Sequence, residues 1–395
     1  MEEGLGAELL GLSIMVLAGK ALGDATEKYG YGRIVGEIVG GAVLGPFALG
    51  GLVNHVIGVS LFTVGSEVVF LSELSVILLI FASGLEHGSA PLRTAGVWGA
   101  LGAIGGALTP FGLTLALRGA LGLSLEEALL AGAAIAPTSL AVVAGSIRRL
   151  SPGDRVVSFL LSAAALDDVV SLVLLSVAEG LASAKGSPVD YLRVAAFYSV
   201  AWATIYVVSI KLIPAVVART RDRYIVETSL IILFGLITVM QGLGFSPIIA
   251  AFIAGVSLGE SVSSSRLSNF MESLLLVFGS IFFVVVGAEF DAYAVSLRGV
   301  VVAVAIAALA MAGKMAGSLP FAYGASRDAK RSAIASIGME PRGEVGFAIA
   351  SYALQEGLIT SGCYGVMTLS ILLTTIAGAA AFGRLSRGLV KPVDE

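Results

Sequence analysis

Charge is scarce in this sequence of 395 residues. Aspartate, glutamate, lysine and arginine make up only 13% of it, against about a quarter in a typical soluble domain, whereas 57% is hydrophobic. So little charge cannot cover a water-exposed surface, which argues against an ordinary soluble protein and indicates a surface that faces lipid. The 50 glycines fit this interpretation, because small residues let membrane helices approach closely.

Cysteine and histidine are scarcer still. The one cysteine, Cys363, excludes an intrachain disulfide, and the two histidines, His55 and His87, lie outside the central apolar segments, so no Ser/His/Asp hydrolase set is available. The acidic N-terminus lacks the basic region of a cleaved signal peptide. The chain ends shortly after its last apolar run, so we expect no soluble nucleotide-binding domain. We predict no enzymatic activity, no cofactor and no nucleic-acid partner.

Hydropathy predicts an all-α integral membrane protein with about 13 transmembrane helices. The predicted spans are 5–27, 31–52, 70–86, 92–118, 125–148, 156–184, 188–218, 223–242, 246–260, 266–289, 294–325, 329–357 and 359–386. Alternate loops then carry most of the 24 lysines and arginines. Because cytoplasmic loops are the basic ones, this predicts an N-terminus outside the cell and a cytoplasmic C-terminus.

The sequence also resembles itself. RIVGEIVGGAVLG (33–45) in the second span aligns without gaps with PIIAAFIAGVSLG (247–259) in the ninth, and the following spans end in GLE (84–86) and GAE (287–289). The two copies would each hold five helices and be offset by seven, an odd number, so they would enter the membrane in opposite directions. Inverted repeats of this kind are typical of secondary transporters with a site near the membrane midplane.

Two adjacent acids, Asp167 and Asp168, lie near the middle of the sixth span. Ionisable groups at this depth are costly unless they are paired or hydrated. Neighbouring residues on a helix point about 100° apart, so the two carboxylates cannot share one partner and should do different jobs. Low polarity favours a protonated carboxylate and a nearby cation favours an ionised one, so such a group can exchange a proton for a metal ion. Lys314, in the eleventh span, needs a partner, and one of these aspartates is the natural candidate.

Two spans are predicted to be broken. Pro137, followed by Thr138 and Ser139, interrupts the fifth span, and Pro341 lies beside Arg342, Gly343 and Glu344 in the twelfth. Proline removes a helical hydrogen bond, and irregular backbone is tolerated at membrane depth only where it is buried or lines a cavity. Both breaks fall in the fourth helix of their repeat, which points to the transport site. Arg342 and Glu344 could neutralise the ends of the half-helices.

Other acids carry weaker signals. Glu37 and Glu73 could be structural hydrogen-bond acceptors or part of an ion path. Glu86 and Glu289 fall at helix ends, where we expect them to be solvated.

These segments together resemble the monovalent cation:proton antiporters, in the branch of bacterial sodium/proton and potassium/proton exchangers. The resemblance rests on IVGEIVGGAVLGP (34–46), LSVILLIFASGLE (74–86), APTS (136–139), ALDD (165–168), FFVVVGAEFD (282–291), AGKMAG around Lys314 and PRGEVGFAIA (341–350). They occur in the family's order and cover nearly the whole chain.

The resemblance implies a role for each residue. Asp168 would bind the proton and, transiently, Na⁺; Asp167 would pair with Lys314; Thr138, with Ser139 beside it, would lie at the crossing of the two broken helices. Glu344 would offset the half-helix dipoles near Pro137 and Pro341, and Arg342 beside the crossing would affect how Lys314 pairs.

The resemblance also implies a homodimer whose core slides as an elevator. The expected parts are N-terminal dimerisation helices at 1–69, the first half of the core at 70–184, a linker helix and further dimerisation helices at 185–260, and the second half of the core at 261–395. Two acids with a lysine go with electrogenic sodium (or lithium) exchange in a cell membrane and a role in pH homeostasis. A potassium/proton or electroneutral antiporter is the alternative, and a channel or sensor on the same scaffold is a further one.

Overall fold

The computed structural model describes residues 2–87, 96–147, 154–182, 188–261 and 265–389, and their regular structure is helical. The helices are α1 (Glu2–Lys28), α2 (Arg33–Leu44), α3 (Leu49–Ile57), α4 (Ser66–His87), α5 (Gly96–Ala116), α6 (Arg118–Leu121), α7 (Leu125–Ala134), α8 (Leu140–Ile147), α9 (Arg155–Ala182), α10 (Pro188–Val217), α11 (Ile225–Gly242), α12 (Pro247–Ser261), α13 (Ser265–Ala288), α14 (Leu297–Ser326), α15 (Ala329–Gly338), α16 (Glu344–Gln355) and α17 (Ser361–Leu385). Short 3₁₀ turns follow at Asp222–Tyr224 and Ser386–Leu389.

Ten helices among the described residues are long and apolar enough to cross a membrane. They are α1, α2 with α3, α4, α5, α9, α10, α11, α13, α14 and α17. The predicted all-helical membrane protein is therefore confirmed. The three other predicted spans fall on the shorter helix α12 and on the helix pairs α7–α8 and α15–α16.

Both predicted interruptions are present. α7 ends at Ala134 and α8 begins at Leu140, with Pro137 between them; α15 ends at Gly338 and α16 begins at Glu344, with Pro341 between them. The two irregular segments touch, because the Ser139 backbone N–H donates to the Pro341 carbonyl at 2.8 Å.

A third interruption was not predicted. The expected continuous helix over 31–52 stops at Leu44, and α3 begins only at Leu49. Pro46 lies in the gap, and its missing N–H and fixed φ are incompatible with an unbroken helix at this point.

The helices pack as two groups, joined mainly through α10. In the first group α2 packs on α1 and α13, while α4 packs on α12 and α13. In the second group α5 packs on α9 and α14, and α14 packs on α15 and α17. The broken helices belong to the second group, since α7 packs on α9 and α16 packs on α7 and α17.

Glycine brings α2 and α13 into backbone contact. A Cβ atom at Gly287 would overlap the carbonyl oxygen of Ile38, and one at Gly41 would overlap that of Val284. Each glycine therefore accommodates the backbone of the opposite helix, the close approach that small residues permit between membrane helices.

The same arrangement holds α4 against α12. A Cβ atom at Gly84 would clash with the Phe252 carbonyl, and one at Gly255 would overlap the Phe81 carbonyl. These two crossings fix the centre of the first group.

The crossing makes Gly287→Ala destabilising. The new methyl group must push α13 away from α2, an overpacking cost of about 1–3 kcal/mol, so the melting temperature of the purified protein in detergent should fall. Gly279→Ala is the matched control on the same helix, because nothing lies within 4 Å of its Cβ position. An equal melting temperature for both variants would contradict the crossing described here.

Candidate functional site

A fully buried ion pair lies at the centre of the second group. Lys314 Nζ on α14 donates to Asp167 Oδ2 on α9 at 2.7 Å, and neither side chain is exposed. Desolvation makes such a pair costly unless further hydrogen bonds satisfy its remaining atoms. One comes from the first break, where the Ala136 carbonyl accepts a hydrogen bond from Lys314 Nζ. The lysine is thus held by one carboxylate and one helix-end carbonyl.

Thr138 ties Asp167 to both breaks. Its backbone N–H donates to Asp167 Oδ1 at 3.3 Å, and its hydroxyl lies 2.6 Å from Oδ2. The same hydroxyl lies 3.0 Å from the carbonyl oxygen of Met339 in the second break. A threonine hydroxyl carries one hydrogen, so it can donate to only one of these acceptors at a time. Asp167 is therefore fully engaged by protein donors.

Arg342 lies in the second break and contacts both that break and α14. Its guanidinium is fully buried and donates to the Met339 carbonyl at 2.9 Å, at the end of α15. It also lies 3.4 Å from the Ala310 carbonyl and 3.7 Å from Glu340 Oε2. A cation beside the last carbonyls of a helix offsets the negative end of the helix dipole. Glu340, which sequence reasoning passed over, supplies the counter-charge, although its position directly before Pro341 could have identified it.

Glu344 lies at the start of α16, and Ser139 directly precedes α8. Glu344 is the first residue of that helix, where a carboxylate is favoured by the helix dipole. Its Oε2 lies 3.4 Å from the Ser139 hydroxyl, and the Ser139 N–H donates to the Pro341 carbonyl. These contacts link the starts of α8 and α16.

Asp168 faces a different environment from its neighbour. It is only 4% exposed, and its exposed edge borders a cavity of about 390 Å³ that also reaches Thr138 and Glu344. Its Oδ1 atom has no hydrogen-bond donor among the described residues. The two adjacent acids thus have separate environments, one locked in protein and one at a cavity wall, as their angular separation on α9 requires.

The cavity runs along the boundary between the two packing groups. Glu86 on α4 and Leu275 on α13 line it from the first group, and α8 and α9 line it from the second, out to Ile147. Asp168 lies deep in this cleft, where water can bring a small ion to it.

The site's oxygen ligands suit a hard monovalent cation. Asp168 and Thr138, which carry a carboxylate and a hydroxyl group, both line the cavity, and hard cations prefer such oxygen ligands. Among the described residues no three His, Cys, Asp or Glu side chains are grouped to hold a metal ion. A cation here would keep part of its water shell.

The other acids divide between structural and exposed positions. Glu37 is buried, accepts a hydrogen bond from Ser280 at 2.7 Å and lies 3.4 Å from Arg33 Nε, which makes it a packing element. Glu86 is exposed, as expected. The expectation that Glu289 is solvated is wrong: it is 9% exposed, because α16 and α17 cover the end of α13. The side chain of His87 lies outside the described residues.

Comparison with known proteins identifies the family. The model described as "Sodium/hydrogen exchanger, transmembrane" matches residues 13–385. The chain belongs to the sodium/hydrogen exchanger family. It is a multi-pass membrane transporter that exchanges cations for protons, and not an enzyme.

Individual relatives of the antiporter match nearly its whole length. The high-affinity Na⁺/H⁺ antiporter NhaS3 of Synechocystis is 28% identical over 94% of this chain and 88% of that protein. The Na⁺/H⁺-K⁺ antiporter GerN of Bacillus cereus is also 28% identical, over 92% of each. The sodium proton antiporter MjNhaP1 of Methanocaldococcus jannaschii, solved at pH 8, shares the fold with a TM-score of 0.69 and 18% identity, covering 98% of this chain and 100% of that one.

A double-mutant cycle tests the buried ion pair of the antiporter. Asp167→Asn leaves the charge of Lys314 buried and unpaired, and Lys314→Gln leaves the charge of Asp167 buried and unpaired. Each single change should therefore lower the stability of the folded protein by about 3–5 kcal/mol. The double variant buries neither charge and should be more stable than either single variant. Melting temperatures in detergent give the comparison, and losses that simply add would show that the two residues are not coupled.

Proposed function

We propose that the antiporter exchanges protons for sodium, with lithium as a second substrate, and that Asp168 carries both ions in turn. One observation carries this proposal: Asp168 is deeply buried, one of its carboxylate oxygens has no hydrogen-bond donor among the described residues, and the residue lines a cleft. Na⁺ and H⁺ would compete for the same oxygens, so binding one releases the other. This competition couples the two fluxes.

Asp167 and Lys314 support this exchange. The Asp167 carboxylate places a second negative charge beside Asp168, and Lys314 compensates that charge within the protein. When a cation arrives at Asp168, the added positive charge repels Lys314 and weakens its bond to Asp167. The strength of this ion pair therefore depends on whether Asp168 holds a cation.

The choice of sodium rests on the relatives and on the two acids. NhaS3 is named a Na⁺/H⁺ antiporter and GerN a Na⁺/H⁺-K⁺ antiporter. Potassium/proton or electroneutral exchange remains the alternative, and a channel or sensor on the same scaffold is the third reading. Hard oxygen ligands at Asp168 and Thr138 are compatible with either alkali ion.

We further propose 13 spans arranged as two inverted five-helix repeats. The three spans beyond the ten long helices are α12, α7 with α8, and α15 with α16, the last two being the discontinuous crossing helices. Two pairs of helix contacts support the repeat. In the repeat α2 corresponds to α12 and α13 to α4, and α2 packs on α13 as α12 packs on α4. Likewise α5 corresponds to α14 and α9 to α17, and α5 packs on α9 as α14 packs on α17.

The glycine crossings support the same symmetry at residue level. The alignment that pairs Gly41 with Gly255 also pairs Ile38 with Phe252. Ile38 contacts Gly287, and Phe252 contacts Gly84, which is the repeat mate of Gly287. The same pair of contacts thus occurs twice.

In this proposal the second packing group is the moving core and the first is the dimerisation domain of a homodimer. We put the boundaries after α4 and α13 instead of at residues 70 and 261, because these helices pack on α2 and α12 and on each other. The core would slide against the dimerisation domain as an elevator, carrying Asp168 across the membrane.

We propose an N-terminus outside the cell and a cytoplasmic C-terminus in the cell membrane, where exchange would serve pH homeostasis. The cavity reaches Glu86 and Ile147, near the ends of α4 and α8. The segments after these helices hold Arg93, Arg148 and Arg149, which lie outside the described residues. Basic segments mark the cytoplasmic side, so the cleft would face inward.

The Asp168→Asn variant tests the assignment of the exchanging carboxylate. In proteoliposomes with an imposed proton gradient, added sodium should change the lumenal pH when the wild type is present. It should not do so with this variant, because an amide cannot take up the proton. Glu227→Gln, which removes an exposed charge on α11, is the control and should retain exchange. Exchange that survives Asp168→Asn would overturn the assignment.

Electrogenic coupling predicts a dependence on membrane potential. If more protons than sodium ions move per cycle, an inside-negative potential should accelerate sodium efflux from loaded vesicles, since net positive charge enters. The measurement is ²²Na⁺ efflux with the potential set by a potassium diffusion gradient and valinomycin. A rate that does not change with potential would favour the electroneutral alternative.

A further inference from the structure

The end of α13 carries a buried polar cluster that the ion site does not use. Glu289 accepts hydrogen bonds from Ser351 at 3.2 Å and from Gln355 at 3.4 Å, and its Oε2 lies 3.3 Å from the Tyr364 hydroxyl. The same tyrosine hydroxyl lies 2.8 Å from the Val286 carbonyl. Four polar side chains therefore lie in contact in a region that sequence analysis expected to be solvated.

These hydrogen bonds cross the boundary between the two packing groups. Glu289 follows α13, in the first group, whereas Ser351 and Gln355 lie on α16 and Tyr364 lies on α17, in the second. Any sliding of one group along the other must break them. We call the contact of Glu289 with Ser351, Gln355 and Tyr364 the Glu289 seam.

The seam lies at the opposite end of the boundary from the open cleft. α13 contributes Leu275, near its middle, to the cavity beside Glu86, whereas Glu289 directly follows its C-terminal end. One end of the boundary is thus open and the other is held by hydrogen bonds.

Sequence symmetry makes the seam the counterpart of the cleft. Aligning Gly84 with Gly287 pairs Glu86 with Glu289, and aligning Pro137 with Pro341 pairs Ile147 with Ser351. Glu86 and Ile147 both line the open cavity, whereas Glu289 and Ser351 are bonded to each other. The same two positions are therefore open in one repeat and sealed in the other.

We infer that the Glu289 seam is the closed second mouth of the ion path, through which the monovalent cation passes when the cleft at Glu86 is shut. In the present state Glu289 holds the two groups together. In the opposite state its carboxylate faces water and attracts the cation, as Glu86 does now. This inference rests on the proposed exchange function and adds the residues of the far mouth to it.

Cysteine labelling at the paired positions tests this inference. In a Cys363→Ser background, which removes the only native cysteine, Ser351→Cys reports the seam and Ile147→Cys reports the cleft. A membrane-impermeant thiol reagent is applied to either face of proteoliposomes. We expect Ile147→Cys to react from the cavity face and Ser351→Cys to react slowly from the opposite face.

Glu289→Gln then weakens the seam, because the new amide nitrogen is a hydrogen-bond donor and would face the donor groups of Ser351 and Gln355. Labelling at Ser351→Cys should rise about tenfold, the shift expected from losing one charge-assisted hydrogen bond, and labelling at Ile147→Cys should fall. Glu86→Gln is the matched control and should not raise labelling at Ser351→Cys. If Glu289→Gln fails to fold, Gln355→Leu removes one donor of the same seam.

Sodium/proton exchange measured in the same vesicles separates the two proposals. Reciprocal labelling without exchange would support the second mouth and contradict the proposed transport function. If neither Glu289→Gln nor Gln355→Leu changes the labelling rate at Ser351→Cys while exchange continues, the second mouth alone is overturned.

Discussion

A lysine ammonium buried in the membrane core needs oxygen partners on every side. The ion pair between Lys314 and Asp167 meets this need with a carboxylate and the Ala136 carbonyl, which is free to accept only because the helix is broken there. The break, the proline within it and Thr138 follow from the same requirement. Removing the ion pair would leave irregular backbone at membrane depth without its principal partner.

The pair also explains why the next residue is available. Asp167 takes up its donors from Lys314 and Thr138, and Asp168, turned about 100° away, meets none of them and faces the cleft. The second break is compensated separately, by Arg342 with Glu340 at one helix end and by Glu344 at the other. Two of the charge pairs at the crossing, Lys314 with Asp167 and Arg342 with Glu340, are thus internal to the protein, which fits the exchanging role proposed for Asp168.

Two kinds of contact join the helices of this antiporter, and they imply different mobility. Within the first group, Gly41, Gly84, Gly255 and Gly287 bring backbones together over close van der Waals contacts, which are hard to slide. Between the groups lie a cleft, hydrogen bonds at Glu289 and apolar side-chain contacts such as Phe283 with Phe347. A boundary of side-chain contacts and water can rearrange at lower cost than one built from interlocked backbones.

The sequence by itself determined the membrane class, nearly all the spans, the breaks at Pro137 and Pro341 and the buried charges at Asp167, Asp168 and Lys314. These are local properties, since hydropathy, proline and charge act within one helix. Only the tertiary structure decided that Glu289 is buried and that α4 and α13 pack with α2 and α12. Each of these depends on which distant helix covers a side chain, and the energies of such packing choices are set by surfaces far apart in the chain.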